Sequence, residues 1–188
     1  EKDMAWMRAQ TGGFDIRLTP RRDLTMIAIQ GPNAREKFWQ ACPGSRPTSE
    51  NLVPFQAAFD GDWLIARTGY TGEDGFEIAI PAEQAGHVWD SLQAAGIAPC
   101  GLGSRDTLRL EAGMNLYGQD MNETVTPLES GLTWTLAMKD ARDFIGKAAL
   151  LAQKPVHQLT GLLLLERGVL RAHQTVRTAH GAGEITSG

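Results

Sequence analysis

The chain has 188 residues, of which 42% are hydrophobic and 21% charged, and its formal net charge is -4. The apolar share suffices for a folded core, but the sequence has no basic cluster for nucleic acid and no run of about 20 apolar residues for a membrane-spanning helix. Cys42 and Cys100 lie far apart in the sequence, and we expect both to be reduced thiols. We therefore expect a soluble, cytoplasmic protein that binds neither nucleic acid nor a membrane.

The first elements alternate between strand and helix patterns. They are predicted to be a strand at 24–30, a helix at 34–41 that ends before Pro43, and a hairpin within 55–68 whose turn is Asp60-Gly61. Asp-Gly favours a hairpin because glycine tolerates the positive φ of a tight turn.

The next predicted strand has two different faces. Phe76, Ile78 and Ile80 alternate with more polar positions, so one face is apolar and the other carries Glu77. A carboxylate in a strand must be solvated, paired or bound to a ligand.

Two helices are predicted after this strand. The first is opened by Pro81, carries an apolar stripe and ends at Gly96, and the second runs from about Ser104 to Ala112. This order predicts an α+β fold, with an antiparallel sheet and helices on one face, of the ferredoxin-like kind. The aromatic side chains Trp89 and Trp134 are expected in the core.

The last part of the chain has β character. Apolar stretches at 162–166, Val176 and Ile185 are separated by glycines, which predicts the opening strands of a small barrel. We therefore expect a first domain at 1–155 and the start of a C-terminal β-barrel at 156–188.

The first segment with chemical potential is the glycine-rich stretch 69–77, GYTGEDGFE. Its glycines allow tight bending and close approach of a ligand. The alternative is a long hairpin loop whose acids, Glu73 and Asp74, are solvated. The segment is not followed by the lysine and the serine or threonine that a phosphate-binding loop carries.

The second segment is 103–118, GSRDTLRLEAGMNLYG. Arg105 and Arg109 are four residues apart, so they share a helix face, and an anionic group is expected nearby. A purely structural ion network with Asp106 and Glu111 is an equal alternative. The four histidines show neither triad nor metal-ligand spacing, so no metal is expected.

These segments together resemble one protein family, the T-protein of the glycine cleavage system, a folate-dependent aminomethyltransferase. The resemblance covers essentially the whole chain. It is carried, in order, by IQGPNA at 29–34, GYTGEDGFE at 69–77, GLGSRDTLRLEAGMNLYG at 101–118, GLTWTL at 131–136, DFIGKAAL at 143–150 and the terminal ITSG.

The resemblance implies a reaction and a site. Family members take an aminomethyl group from the lipoyl arm of the H-protein, release ammonia and pass the carbon to tetrahydrofolate. Glu77 is similar to the glutamate that binds the pterin edge, Arg105 to a binding arginine, and Tyr70 and Tyr117 to aromatic residues of the pterin pocket. A pterin's flat faces and amino-pyrimidine donors suit aromatic rings and a carboxylate.

By the same resemblance, the chain is an internal fragment. The family's catalytic aspartate would precede residue 1 and a further binding arginine would follow residue 188, so we expect no catalytic residue within the fragment and no turnover by it alone. The alternatives are a related folate-binding protein, such as a dimethylglycine or sarcosine dehydrogenase or an iron-sulfur assembly factor, and a non-catalytic folate-binding module.

Overall fold

The computed structural model describes residues 1–188 and contains six α-helices and six β-strands. In chain order they are α1 Lys2–Gln10, β1 Leu24–Gln30, α2 Ala34–Ala41, α3 Arg46–Ser49, β2 Ala57–Asp60, β3 Trp63–Ala66, β4 Gly75–Pro81, α4 Ala85–Ala94, α5 Leu102–Glu111, α6 Lys147–Ala152, β5 Thr175–Thr178 and β6 Gly181–Glu184. The chain forms two compact units. The first comprises Glu1–Gly69 and Glu73–Pro99, and the second comprises Tyr70–Gly72 and Cys100–Gly188.

The first unit is built on a four-stranded antiparallel sheet with the order β1-β4-β3-β2. Strands β2, β3 and β4 follow one another along the sheet, and β1 pairs with β4 over seven residues. Ile78 lies opposite Ile27 of β1 on one side and Ile65 of β3 on the other. The predicted α+β class with an antiparallel sheet is confirmed.

One face of this sheet forms the core together with helices α2 and α4. Phe76, Ile78 and Ile80 of β4 are fully buried, and Phe38 of α2 and Val88 of α4 belong to the same apolar cluster. The rings of Phe38 and Phe76 meet in a tilted arrangement with centroids 5.2 Å apart, a favourable geometry for aromatic pairs. The predicted alternation along β4 is therefore confirmed, with both helices on the apolar face.

The predicted ends of the elements need small corrections. In the hairpin, Asp60 pairs with Trp63, so the turn residues are Gly61, at a φ of 58°, and Asp62, instead of Asp60-Gly61. Pro81 ends β4 instead of opening a helix, because a 3₁₀ turn precedes α4. Gly96 has a φ of 78° and stops that helix as predicted.

The second unit contains little regular structure beyond α5, α6 and the hairpin of β5 and β6. Val176 lies in β5, but the expected strand at 162–166 is wrong, because this stretch has no strand pairing and its leucines are exposed. An apolar sequence forms a strand only where a partner strand accepts its hydrogen bonds. The start of a barrel and the domain boundary near residue 155 stay predictions.

The two tryptophans expected in the core are not there. Trp89 is 43% exposed because α4 turns its Val88 and Leu92 face toward the sheet, which leaves the neighbouring position at the side. Trp134 lies in a 3₁₀ turn and is 75% exposed. Helical spacing identified the buried stripe of α4, whereas aromatic identity alone did not predict burial.

None of the helices is both long enough and apolar enough to cross a membrane. The longest, α4 and α5, each have only 10 residues.

The packing predicts unequal costs for two truncations on adjacent strands. Ile78→Ala should lower the free energy of unfolding of the first unit by about 2 to 5 kcal/mol, because it leaves a cavity beneath fully buried neighbours. Met26→Ala on β1 should change it by no more than about 0.5 kcal/mol, because Met26 is 66% exposed. Urea unfolding followed by tryptophan fluorescence measures both, and equal losses would contradict the assigned faces of the sheet.

Candidate functional site

The glycines of the segment 69–77 are required by close approach of the protein's own chain. A side chain on Gly69 would place its Cβ 1.7 Å from Oε1 of Gln30, and one on Gly75 would lie 2.0 Å from the carbonyl oxygen of Ile29. Gln30 donates from its amide to the carbonyls of Thr68 and Phe76, which ties the two ends of this segment together. The close approach at these two glycines is made by the neighbouring strand β1.

Asp74 within this segment is exposed, as the alternative expected, but its carboxylate is also paired. Arg67 donates to both of its carboxylate oxygens, at 2.9 and 2.8 Å, and the Gly75 N–H donates at 2.9 Å. Nη1 of Arg35 lies 3.6 Å from Oδ2 of Asp74. The hydrogen bonds from Arg67 hold the pKa of Asp74 below its ordinary value. Asp74 therefore anchors the segment, because a two-point guanidinium–carboxylate contact also fixes orientation.

Glu77 lies on the sheet face opposite the core, as predicted. Its neighbours across the sheet are Ala28 of β1 and Ala66 of β3, so two small side chains flank the carboxylate. The hydroxyl of Thr68 donates to Oε2 of Glu77 at 2.6 Å. This bond orients the carboxylate and leaves Oε1 able to accept a hydrogen bond from a ligand.

Three of the four predicted site residues belong to the second unit. The guanidinium of Arg105, on α5, lies over the ring of Tyr70 at 5.5 Å from its centroid, within range of a cation–π interaction. The Tyr70 hydroxyl donates to the backbone carbonyl of Asn115. Tyr117 lies two residues further on and is exposed at 56%. The structure thus brings Tyr70 and Arg105 together, and Tyr117 is two residues from Asn115, the hydrogen-bond partner of Tyr70.

Glu77 belongs to the first unit. Convergence of its carboxylate with Arg105 on one ligand therefore stays a prediction.

The two arginines of α5, which were expected to share a helix face with an anionic group nearby, have different environments. Arg109 is 2% exposed and donates to Asp106 and Asp120 at 2.8 Å each, whereas Arg105 is exposed. Burial acts to lower the pKa of Arg109, but the two carboxylates raise it above its ordinary value. The structural ion network is therefore correct for Arg109 and Asp106, but the exposed Glu111 does not pair with Arg109. Asp106 was foreseen, and Asp120, eleven residues away, was not.

A second buried carboxylate, Glu129, was also missed. It accepts hydrogen bonds from the N–H groups of Val156 and His157, at 3.0 and 3.3 Å, and from the N–H and hydroxyl of Thr126, at 3.1 and 2.9 Å. The Glu129 N–H donates back to the Thr126 hydroxyl. The spacing Thr-x-x-Glu is the signature of such a reciprocal pair and could have identified it. These donors lower the pKa of Glu129 to about 2.

No other constellation of reactive groups stands out. No three His, Cys, Asp or Glu side chains are grouped as a metal site requires. Cys42 and Cys100 form no disulfide, and burial raises the pKa of the Cys42 thiol. His173, two residues before β5, pairs with Glu184 of β6 at 2.6 Å, and both side chains are exposed.

The chain is similar in sequence to known proteins. Residues 1–140 match the family described as the GCVT N-terminal domain. The chain is 62% identical to an aminomethyltransferase of Nitrosomonas eutropha and 60% identical to one of Bordetella avium, in each case over the whole chain. These alignments cover 53% and 52% of the two relatives, so the chain spans about half the length of the curated relatives it matches.

A solved structure is also similar. It is the crystal structure of glycine cleavage system aminomethyltransferase T from Bartonella henselae, which aligns with a TM-score of 0.69 and 36% sequence identity. The alignment covers 80% of this chain and 41% of that protein.

The hydrogen bonds of Glu129 predict a pH-dependent contribution to stability. Because its pKa in the folded chain, about 2, lies below the ordinary value of 4.5, the contribution is fully present above pH 4.5 and is lost as the pH falls toward 2. Glu129→Gln should therefore destabilise the second unit most near neutral pH. The difference in unfolding free energy from the parent chain should shrink between pH 4.5 and 2.5, measured by urea unfolding. A difference independent of pH would contradict this origin.

Proposed function

Because the chain belongs to the family described as the GCVT N-terminal domain, we propose that it is the tetrahydrofolate-binding part of an aminomethyltransferase of the glycine cleavage system. The observation that carries this proposal is the identity of about 60%, over all 188 residues, to relatives named aminomethyltransferase. In the proposed reaction, the longer protein takes an aminomethyl group from the lipoyl arm of the H-protein. It releases ammonia and transfers the carbon to tetrahydrofolate, its co-substrate.

The proposed role of Glu77 is to accept hydrogen bonds from the amino-pyrimidine edge of the pterin. Thr68 occupies only Oε2 of the carboxylate, so Oε1 can accept from a ligand. The small side chains of Ala28 and Ala66 on either side leave room for a flat ring system beside it. A carboxylate surrounded by methyl groups binds a donor more strongly than one in open water, because less solvent competes.

The proposed roles of Tyr70, Tyr117 and Arg105 are to line the pterin pocket and to bind the polar part of the folate. The hydroxyl of Tyr70 is occupied by the Asn115 carbonyl, so its ring remains for stacking. Arg105 contacts Tyr70 over the face of the tyrosine ring. The planar set of donors on the Arg105 guanidinium suits a carboxylate or a carbonyl of the ligand.

We further propose that the protein acts in the cytoplasm, where the lipoylated H-protein would be its partner. Cys42 and Cys100 form no disulfide with each other, which fits a reducing compartment.

Loss of the Glu77 carboxylate tests the proposed site in the 188-residue chain. Glu77→Ala should weaken tetrahydrofolate binding by about 1 to 3 kcal/mol, the usual cost of removing a buried hydrogen-bonding partner. Glu83→Ala is a matched control, because Glu83 is an exposed carboxylate in the 3₁₀ turn after β4. Titration calorimetry measures both variants. Unchanged affinity in Glu77→Ala would remove Glu77 from the site.

The proposed reaction is tested in a longer protein that carries these 188 residues. With aminomethylated H-protein and tetrahydrofolate, we expect ammonia release that depends on both components. Tetrahydrofolate binding without ammonia release would support a non-catalytic folate-binding module instead. We expect the 188 residues alone to bind tetrahydrofolate without turnover, and ammonia release by them would contradict that expectation.

A further inference from the structure

We propose that Asp120 is a positioning residue for the folate pocket. Its carboxylate, held by Arg109, fixes the backbone around Leu116 and thereby the rings of Tyr70 and Tyr117. The link to folate rests on the proposed function, whereas the positioning itself can be measured without any ligand.

The first step is the burial of the charge pair. Arg109 donates from Nη1 to Oδ2 of Asp120 at 2.8 Å, and the two side chains are only 2% and 6% exposed. The hydroxyls of Thr186 and Ser187 also donate to this carboxylate. An ion pair removed from water holds its geometry only when its remaining hydrogen-bonding positions are filled. Here four donor groups of the second unit bind the carboxylate: Arg109, the Leu116 N–H and the hydroxyls of Thr186 and Ser187.

The second step leads from the carboxylate to the backbone. The Leu116 N–H donates to Oδ2 of Asp120 at 2.8 Å. The Leu116 carbonyl in turn accepts from the N–H groups of Gln119 and Asp120, at 3.1 and 2.9 Å. The peptide groups on both sides of Leu116 are therefore fixed, and the second of them joins Leu116 to Tyr117. Arg109 adds a longer bond, 3.3 Å, to the carbonyl of Met114.

The third step leads to Tyr70. The residue before Leu116 is Asn115, whose carbonyl accepts the hydroxyl of Tyr70 and whose side-chain amide donates to the Ser130 carbonyl at 2.7 Å. The peptide unit that contains this carbonyl also contains the Leu116 N–H bound by Asp120. Displacing that peptide would move the anchor of Tyr70, and with it the ring beneath Arg105.

The ligand-free test is amide hydrogen exchange of the 188-residue chain. Asp120→Asn keeps the shape of the side chain but removes the charge that Arg109 and the Leu116 N–H share. Exchange at Leu116 should become at least about tenfold faster, while amides of the β1–β4 pairing change by less than about twofold. Unchanged exchange at Leu116 would overturn the proposal.

The chain offers a matched control in Asp106→Asn. Asp106 pairs with the same Arg109 at 2.8 Å, but its side chain is 55% exposed and makes no bond to the Leu116 backbone. This variant should leave Leu116 exchange within about twofold of the parent chain. An equal acceleration in both variants would show that Arg109 is merely destabilised, and would overturn a specific role for Asp120.

The folate-dependent test is calorimetry with tetrahydrofolate. We expect Asp120→Asn to weaken binding about tenfold and Asp106→Asn less than about twofold. Equal affinity of folded Asp120→Asn and the parent chain would overturn the link to the pocket. If the parent chain itself fails to bind, the proposed function and that link fail together, and the exchange experiment still decides whether Asp120 fixes the backbone.

A gentler variant keeps the test decisive if Asp120→Asn does not fold. Thr186→Val removes one hydroxyl donor from the Asp120 carboxylate and leaves the pair with Arg109 intact. Exchange at Leu116 should then accelerate about threefold, because the carboxylate loses one of its constraints. No change in that exchange would overturn the proposal.

Discussion

The alternation of side chains along β4 is the constraint on which the first unit depends. Phe76, Ile78 and Ile80 fill the core from one face, and Glu77 stands between them on the other. Because the repeat of a strand is two residues, a shift of one position would bury the carboxylate and expose all three apolar side chains. The register with β1 and β3 therefore secures the core and the placement of the candidate ligand-binding group at once.

The second unit is held together by different means. Among its apolar side chains only Ile185 is buried, while the polar side chains of Arg109, Asp120, Glu129 and Ser130 are buried as well. Its conformation is held by carboxylates that accept hydrogen bonds from backbone N–H and hydroxyl groups. Glu129, for example, accepts them from residue 126 and from residues 156–157. Such networks are directional, so they specify loop geometry more strictly than apolar contact does. Residues that depend on loop geometry, Tyr70 and Tyr117, are found in this unit.

The predicted site residues are thus held in place in two different ways. Glu77 is carried by a strand whose position is set by apolar packing, whereas Tyr70 and Tyr117 are carried by loops whose position is set by hydrogen bonds to charged groups. Side chains on packed strands are placed more rigidly than side chains on loops. The position of Glu77 therefore depends on strand register, whereas the positions of Tyr70 and Tyr117 depend on an intact polar network, and this gives Asp120 its importance.

The amino-acid sequence by itself determined the α+β class, the span of β1, the two faces of β4 and the helical stop at Gly96, because each follows from a local repeat or from the backbone preference of one residue. It also contained the family resemblance. Only the tertiary structure decided that Asp74 is paired with Arg67, that Arg109 is buried against Asp120 while Arg105 lies over Tyr70, and that Trp89 and Trp134 are exposed. The leucines at 162–165 illustrate the same limit, since their composition favours a strand but no partner strand pairs with them. The physical reason is common to these cases. Pairing and burial depend on which groups the folded chain brings together across long separations in sequence, and a local pattern contains no information about those contacts.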